Sequence, residues 1–311
     1  MTIDLSSTIP VDAVRAGIGE GPAWDSERGR LLWVDIPPGI VYATEQTESG
    51  SWETVKLATL PRPVGAVVPR ASGGYVAASG NQFCALSETG EVESIAEIPV
   101  SADELRLNDG KCDPAGRFFA GTQTSDGTPT GQAALYCLDL DGSVRTILPT
   151  VGLSNGLGWS ADGTRMYYID TPTLGIDVFD VDPADGSVYN RRRLITIEFG
   201  GGRPDGLCVD NEGYLWVAVF YSGTVRRYAP DGTPAGVVRI SAPLATSCAF
   251  GGDDGETLFI TSSSFRMPEQ RLLDAGMSLE LGEQAAAAPS AGGLFAVKPG
   301  VGGPAAVAYA G

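Results

Sequence analysis

The clearest pattern of apolar and polar positions lies at residues 154–170. A polar pair, Asn155-Gly156, opens a short apolar run, Asp162-Gly163 follows as a turn signal, and residues 166–170 form an aromatic run. An Asp-Gly pair between two β-rich runs predicts a hairpin, because glycine accepts the positive φ that tight turns need.

The same pattern recurs six times along the chain. The copies open at Gly21, Gly65, Gly110, Gly156, Gly206 and, with cysteine replacing glycine, Cys248. Successive starts are separated by 44, 45, 46, 50 and 42 residues, the length of one four-stranded propeller blade. The sequence therefore predicts an all-β fold, a six-bladed β-propeller with four-stranded antiparallel blades around a central channel. We expect residues 1–311 to form a single domain, since no linker or change of composition marks a boundary.

Two parts of the chain depart from this rhythm. Residues 265–290 combine helix-forming and alanine-rich stretches, which predicts a helical or mobile insertion within the last blade. A propeller ring must also be closed, because an unpaired edge strand is prone to association. We expect a strand near residues 11–16 to pair into the C-terminal blade, with residues 305–310 as the competing candidate.

Composition excludes several classes of function. With 21 basic and 38 acidic residues the formal charge is −17, which argues against binding to nucleic acid or to an anionic membrane. Neither a membrane-spanning segment nor a signal peptide is recognisable, so we expect a cytoplasmic protein. The chain has no histidine, which removes Ser-His-Asp and Cys-His mechanisms. Its five cysteines are scattered within apolar runs and predict core positions.

Candidate chemistry lies at the position before each opening residue. In a propeller the first strand of each blade lines the channel, so these positions should converge on the axis. They are occupied, in order, by Glu20, Val64, Asp109, Asn155, Asp205 and Ser247. Any one polar-Gly pair could be an ordinary turn, but acids crowded on one axis are costly to bury unless a cation neutralises them. Oxygen ligands favour calcium, magnesium or manganese over a structural zinc.

A possible substrate contact precedes the third copy. Arg106 and Asn108 lie two residues apart, so on a strand they point to the same face. If Asn108 faces the channel, Arg106 does too, and it could bind a carboxylate or a hydroxyl-rich substrate.

Several motifs together resemble the SMP-30, gluconolactonase and regucalcin-like family of six-bladed propellers. The matching stretches are Gly19-Glu20-Gly21-Pro22, Arg106-Leu107-Asn108-Asp109-Gly110-Lys111 with Asp113-Pro114, Ser154-Asn155-Gly156-Leu157, Pro204-Asp205-Gly206, Thr246-Ser247-Cys248-Ala249-Phe250 and Gly292-Gly293-Leu294-Phe295-Ala296-Val297.

The resemblance implies specific site residues. The family's metal ligands fall on Glu20, Asn155 and Asp205, and its substrate contacts fall on Arg106 and Asn108. Asp109 would be a nearby acid that acts from outside the ligand set or through a bridging water. Some relatives carry a substrate-binding Glu after the third blade's second strand. Here Gln123 or Asp126 would take that place, which leaves substrate preference open.

The activity implied is hydrolysis of a small lactone of the aldonolactone type, with one divalent cation as cofactor, calcium favoured over magnesium, manganese or zinc. Such a cation can polarise the carbonyl and activate a water, and we predict Asp205, or less favourably Asp109, as the general base. A phosphotriesterase-like hydrolase and a non-catalytic calcium-binding or protein-binding propeller are the alternatives. We expect a small-molecule lactone as the partner, and a monomer or weak homo-oligomer.

Overall fold

A computed structural model of the protein describes residues 3–8, 10–274 and 276–311. In chain order its strands are β1 (Ile3–Thr8), β2 (Gly19–Asp25), β3 (Arg30–Asp35), β4 (Ile40–Gln46), β5 (Trp52–Thr59), β6 (Val64–Pro69), β7 (Tyr75–Ser79), β8 (Gln82–Leu86), β9 (Val92–Glu97), β10 (Leu105–Cys112), β11 (Phe118–Thr124), β12 (Ala133–Leu138), β13 (Val144–Val151), β14 (Ser154–Trp159), β15 (Arg165–Asp170), β16 (Gly175–Val181), β17 (Val188–Thr196), β18 (Arg203–Val209), β19 (Leu215–Phe220), β20 (Thr224–Tyr228), β21 (Pro234–Ile240), β22 (Ala245–Gly251), β23 (Thr257–Ser262) and β24 (Phe295–Val297). Two helices, α1 (Glu269–Asp274) and α2 (Leu279–Ala287), and a short 3-10 turn at Thr171–Thr173 complete the described elements.

The strands form six sheets arranged as the blades of a propeller, which confirms the predicted fold. Blades one to four are four-stranded antiparallel meanders that begin with β2, β6, β10 and β14. The fifth begins with β18 and the sixth with β22. Each of these six inner strands contacts the inner strand of the next blade, and β22 contacts β2 to close the ring.

The repeat position coincides with a β-bulge in every inner strand, including the second and sixth copies, where the pair is Val64-Gly65 and Ser247-Cys248. The register of the inner ladder shifts between Glu20 and Ala23 in the first blade and between Ser154 and Leu157 in the fourth. The other four ladders also shift register within two residues of the repeat position. A bulge changes the direction in which the adjacent side chains point, so these bulges help to set which polar side chains face the channel.

Close packing of neighbouring inner strands explains one of the repeated glycines. A Cβ added to Gly156 would lie 2.6 Å from the Asp205 carbonyl oxygen and 2.8 Å from the Leu207 amide nitrogen. By contrast, Gly163 has a φ of 70°, as the predicted Asp162-Gly163 turn requires. The two glycines of this hairpin therefore serve different purposes.

The hydrophobic core is divided among the gaps between blades. Six buried clusters each join residues of two neighbouring blades, including Leu32 with Tyr75 between blades one and two and Trp24 with Phe259 between blades one and six. All five cysteines are buried and free, as expected of core positions. Each blade is thus held mainly by its neighbours.

The chain ends differ in part from the predicted closure. Strand β1 adds to the outer edge of the fifth blade, parallel to β21, so that blade has five strands. Residues 11–16 lie against the C-terminal blade as expected, through the Val11 and Ala16 amides and an isolated antiparallel bridge between Pro10 and Phe295. They form no regular strand, so the sixth blade has three strands. Residues 305–310 instead pass along the second blade, where the Tyr309 amide donates to the Pro69 carbonyl and the Ala71 amide donates to the Tyr309 carbonyl.

The insertion lies between β23 and β24 and contains α1 and α2. Met267, Leu272 and Met277 pack with Tyr221 and Leu244 in a seventh buried cluster. This packing fixes the insertion beside one end of the channel. In the described part of the chain, no helix is both long and apolar enough to cross a membrane.

Candidate functional site

A cavity of about 400 Å³ opens at the end of the channel beside the insertion. Its walls include the seven residues predicted to hold metal or substrate, namely Glu20, Arg106, Asn108, Gln123, Asp126, Asn155 and Asp205. Asp109 lies elsewhere and lines a second cavity of about 350 Å³. The structure therefore brings seven of the eight candidates to one cavity.

Three carboxylates near the axis are close enough for their charges to interact. Glu20 and Asp109 are only 5% and 6% exposed, whereas Asp205 is half-buried and faces the first cavity. Burial raises the pKa of Glu20 well above its usual value, and the charges of Asp205 and Asp109 raise it further. Burial and then Asp109 likewise raise the pKa of Asp205. The charge of Arg106 lowers the pKa of Glu20 only in part, so burial and the neighbouring carboxylates dominate both shifts.

Few protein donors satisfy these carboxylates. Glu20 accepts a hydrogen bond from the Gly21 amide at 3.0 Å, and Asp109 accepts one from the Gly110 amide at 2.7 Å. No donor among the described residues is hydrogen-bonded to the Asp205 carboxylate. Its oxygens are therefore available to a ligand in the cavity.

Asn155 is held rigidly between two blades. Its Nδ2 donates to Thr171 Oγ1 at 2.7 Å, and its Oδ1 accepts from Asn108 Nδ2 at 2.7 Å. Thr171 in turn donates to the Pro204 carbonyl at 2.8 Å. An amide oxygen has two lone pairs, so Asn155 Oδ1 can accept one more contact from the cavity side.

Arg106, Asn108 and Gln123 form one network on the third blade. Arg106 Nη1 donates to Asn108 Oδ1 at 3.0 Å, and Gln123 Nε2 donates to the same oxygen at 3.1 Å. With its amide turned by 180°, Gln123 would instead accept from Arg106. Burial lowers the pKa of Arg106 to about 10, an effect that Glu20 opposes. Arg106 as a whole is 9% exposed, and its guanidinium stays charged at neutral pH.

Asp126 occupies the rim of the cavity. Its carboxylate accepts from the Thr128 amide at 2.9 Å and the Thr128 hydroxyl at 3.0 Å, and hydrogen bonds led by that amide lower its pKa. The residue is exposed, in contrast to buried Gln123. Of the two candidates for the family's substrate-binding acid, Gln123 lies next to Arg106 and Asn108.

Several residues of the cavity wall were missed by the sequence analysis. Thr171 lies just after β15 and carries no periodic signal. Phe265, Met267 and Arg271 come from the insertion, whose placement the sequence did not define. Arg203 lies two residues before Asp205, and the spacing argument applied to Arg106 and Asn108 could have found it.

The oxygen atoms of the cavity fit a hard divalent cation. In the described ranges no three His, Cys, Asp or Glu side chains are grouped as a metal site, so a cation here would need amide as well as carboxylate ligands. Glu20, Asp205 and the free lone pair of Asn155 supply both kinds. A cation would also favour the ionised form of these two carboxylates, whose protonation is otherwise favoured by burial.

The molecule is thus a six-bladed propeller with a cavity lined by charged and amide side chains at one end of its channel. Residues 18–264 match the family described as SMP-30/Gluconolactonase/LRE-like region. The chain belongs to this family, as its motifs predicted.

Individual relatives match over most of their length. Regucalcin of Danio rerio is 42% identical over 276 residues, which cover 86% of this chain and 90% of that protein. Regucalcin of Homo sapiens is 38% identical over 301 residues, covering 94% and 95%. The structure of a luciferin-regenerating enzyme superposes with a TM-score of 0.83 at 29% identity, covering 95% of this chain and 96% of that one.

Proposed function

We propose that this protein is a metal-dependent lactonase that hydrolyses a small lactone of the aldonolactone type to its hydroxy acid. One observation carries the proposal: Glu20, Asn155 and Asp205, from three different blades, line the same cavity as Arg106 and Asn108. Membership of a family whose description includes gluconolactonase supports the choice of reaction.

Glu20, Asn155 and Asp205 would hold the cation, and their oxygen atoms favour calcium, magnesium or manganese over zinc. Of these three cations we favour calcium. When bound, a divalent cation supplies Lewis acidity that polarises the ester carbonyl and makes a water more acidic. Asn155 contributes a neutral ligand, and its hydrogen bonds to Asn108 and Thr171 fix the direction of its oxygen.

Asp205 accepts the proton of the attacking water in this mechanism. Its carboxylate faces the cavity and has no hydrogen-bonded donor within the described residues. Asp109 is the less favoured base, since it lines the second cavity and accepts from its own neighbouring amide.

Arg106 and Asn108 orient the substrate. Asn108 Oδ1 already accepts from Arg106, so the remaining guanidinium N–H groups can donate to hydroxyl or carbonyl oxygens of a lactone. Gln123 lies beside Arg106 and Asn108 in either orientation of its amide and extends this polar wall.

The test is a hydrolysis assay with a panel of sugar lactones and one phosphotriester. The chelated protein is compared with samples resupplied with calcium, magnesium, manganese or zinc. The proposal expects lactone turnover that disappears on chelation and returns with a cation. Turnover of the phosphotriester alone would favour a phosphotriesterase, and cation binding without any turnover would favour a non-catalytic calcium-binding propeller.

The role of Asp205 is tested by Asp205→Asn. We expect kcat to fall by roughly 10²- to 10⁴-fold, the usual contribution of a general base. Asp253→Asn, at an exposed position, is the matched control and should keep wild-type activity. Cation binding is measured separately by calorimetry. Full activity of Asp205→Asn with the cation bound would rule out this assignment.

A further inference from the structure

Two arginines that the proposed mechanism does not use line the outer part of the cavity. Arg203 is the first residue of β18, and Arg271 lies in α1 of the insertion. Arg271 is anchored, because its Nη1 donates to the Asp126 carbonyl at 2.7 Å and its Nη2 to the Gly127 carbonyl at 2.6 Å. The remaining N–H groups of both guanidinium groups are available to a ligand.

These charges lack acidic partners. Within the described residues, neither Arg203 nor Arg271 has a carboxylate within ion-pair distance. The Nε of Arg203 is buried and has no hydrogen-bond partner in that part of the structure. A buried donor without a partner costs free energy, so its retention at a cavity wall points to a ligand that satisfies it.

The charge around the cavity is opposite to that of the chain. Four arginines line it, Arg62, Arg106, Arg203 and Arg271, although the protein carries a formal charge of −17. The acids at the same wall are Glu20, Asp126 and Asp205. Once a divalent cation neutralises Glu20 and Asp205, the arginines face only the exposed Asp126. Such a local positive field attracts anions.

Arg203 lies on the same strand as Asp205, the proposed general base. Arg203 and Asp205 are two residues apart on β18, so their Cα atoms lie roughly 7 Å apart along the strand. Both side chains line the cavity. Arg203 and the proposed base therefore lie on the same wall of the cavity, one strand repeat apart, so one small substrate can contact both.

We propose that Arg203 and Arg271 bind an anionic group at the outer end of the substrate, so that the lactone carries a carboxylate or a phosphate remote from its ester. Guanidinium groups bind both oxyanions through paired N–H donors. The proposal rests on the lactonase function and narrows its substrate class to a sugar-diacid lactone or a phosphorylated aldonolactone.

The test compares three lactones of the same ring and stereochemistry, one neutral, one with a terminal carboxylate and one with a terminal phosphate. The wild-type protein should have a kcat/KM about ten- to hundredfold higher for one of the anionic lactones than for the neutral one. The anionic lactone that is preferred shows whether the natural substrate carries a carboxylate or a phosphate. Equal rates, or a preference for the neutral lactone, would overturn the proposal.

Variants locate the preference. Arg203→Met should lower the anionic-to-neutral ratio of kcat/KM by about tenfold or more, mainly through KM, whereas Arg203→Lys should retain part of it. Arg271→Met should act in the same direction. Arg266→Met is the matched control, since Arg266 lies in the same insertion but is 64% exposed and outside the cavity. A fall of equal size on all three lactones in Arg203→Met would mean a structural role and refute the proposal.

A binding measurement separates this proposal from the lactonase proposal. If no lactone is hydrolysed, calorimetry with the three corresponding open-chain acids still decides the role of Arg203. Tighter binding of an acid with a second anionic end, lost in Arg203→Met but not in Arg266→Met, supports the subsite. Equal binding of all three acids contradicts it.

Discussion

Gly156→Ala tests why the repeated polar-Gly pair contains glycine. The added Cβ would lie 2.6 Å from the Asp205 carbonyl oxygen, 2.8 Å from the Leu207 nitrogen and 3.0 Å from the Gly206 carbonyl carbon. All three are backbone atoms of β18, so no side chain can rotate to relieve the contacts. The inner strands of blades four and five must therefore move apart.

Overpacking of this kind costs about 1–3 kcal/mol, and backbone contacts place the expected loss at roughly 2 kcal/mol. For a chain of 311 residues that corresponds to a Tm lower by about 3 °C. The displacement also separates Asn155 from Asp205, so cation affinity should fall together with stability.

Thermal and urea unfolding measure the change, and calorimetry measures cation affinity. Gly17→Ala is the control, because its Cβ would lie 3.4 Å from the nearest atom, an ordinary contact, and we expect its stability within about 0.5 kcal/mol of wild type. If Gly156→Ala were as stable as Gly17→Ala and bound the cation normally, close strand packing would not be the reason for this glycine.

Three further predictions concern the turn, the cation and the insertion. Hydrogen bonds led by the Ser160 hydroxyl lower the pKa of Asp162 to about 2. The ionised carboxylate therefore stabilises the folded protein above about pH 4, and this stabilisation is lost as the pH falls through 2. The difference in Tm between wild type and Asp162→Ala should shrink over that pH range. Calcium at 100 times its Kd should raise the free energy of unfolding of the wild type by about 2.7 kcal/mol. Scanning calorimetry should show that Glu20→Gln loses most of this calcium-dependent stabilisation. An unchanged stabilisation in the variant would place the cation elsewhere. Leu272→Ala should weaken docking of the insertion by about 2–4 kcal/mol and speed hydrogen exchange over residues 268–287 while the blades stay protected; equally fast exchange in the blades would contradict this.

The sequence predicts the ring well because the repeat is carried by local chemistry. Each turn and each inner-strand bulge needs its own residues, so six copies in phase define six blades. Chain closure was harder to predict, because the pairing of β1 with β21 depends on which outer edge is free and not on the alternation within residues 3–8. Residues 305–310 likewise take their place from contacts with distant blades, such as that of Tyr309 with Pro69.

The candidate site was likewise predictable where it depends on the repeat and not where it depends on local geometry. Glu20, Asn155 and Asp205 share a repeat position, and the ring brings them to one cavity. Asp109 shares that position too, yet it lines the second cavity, while the preceding residue Asn108 lines the first. The register shift of this ladder begins at Leu107, two residues before Asp109, whereas the shift in the fourth blade begins only one residue before Asn155. A bulge changes side-chain direction in a way that spacing alone cannot reveal.

The central claim, that one cation held by Glu20, Asn155 and Asp205 is required for lactone hydrolysis, is tested most directly by a single titration. Chelated protein is titrated with calcium while bound cation and the rate of lactone hydrolysis are measured in the same samples. We predict that the rate rises in proportion to the occupancy of one site per chain and that Glu20→Gln shifts both curves to higher calcium together. A full rate in the chelated protein, or a rate that saturates without occupancy of this site, would contradict the account.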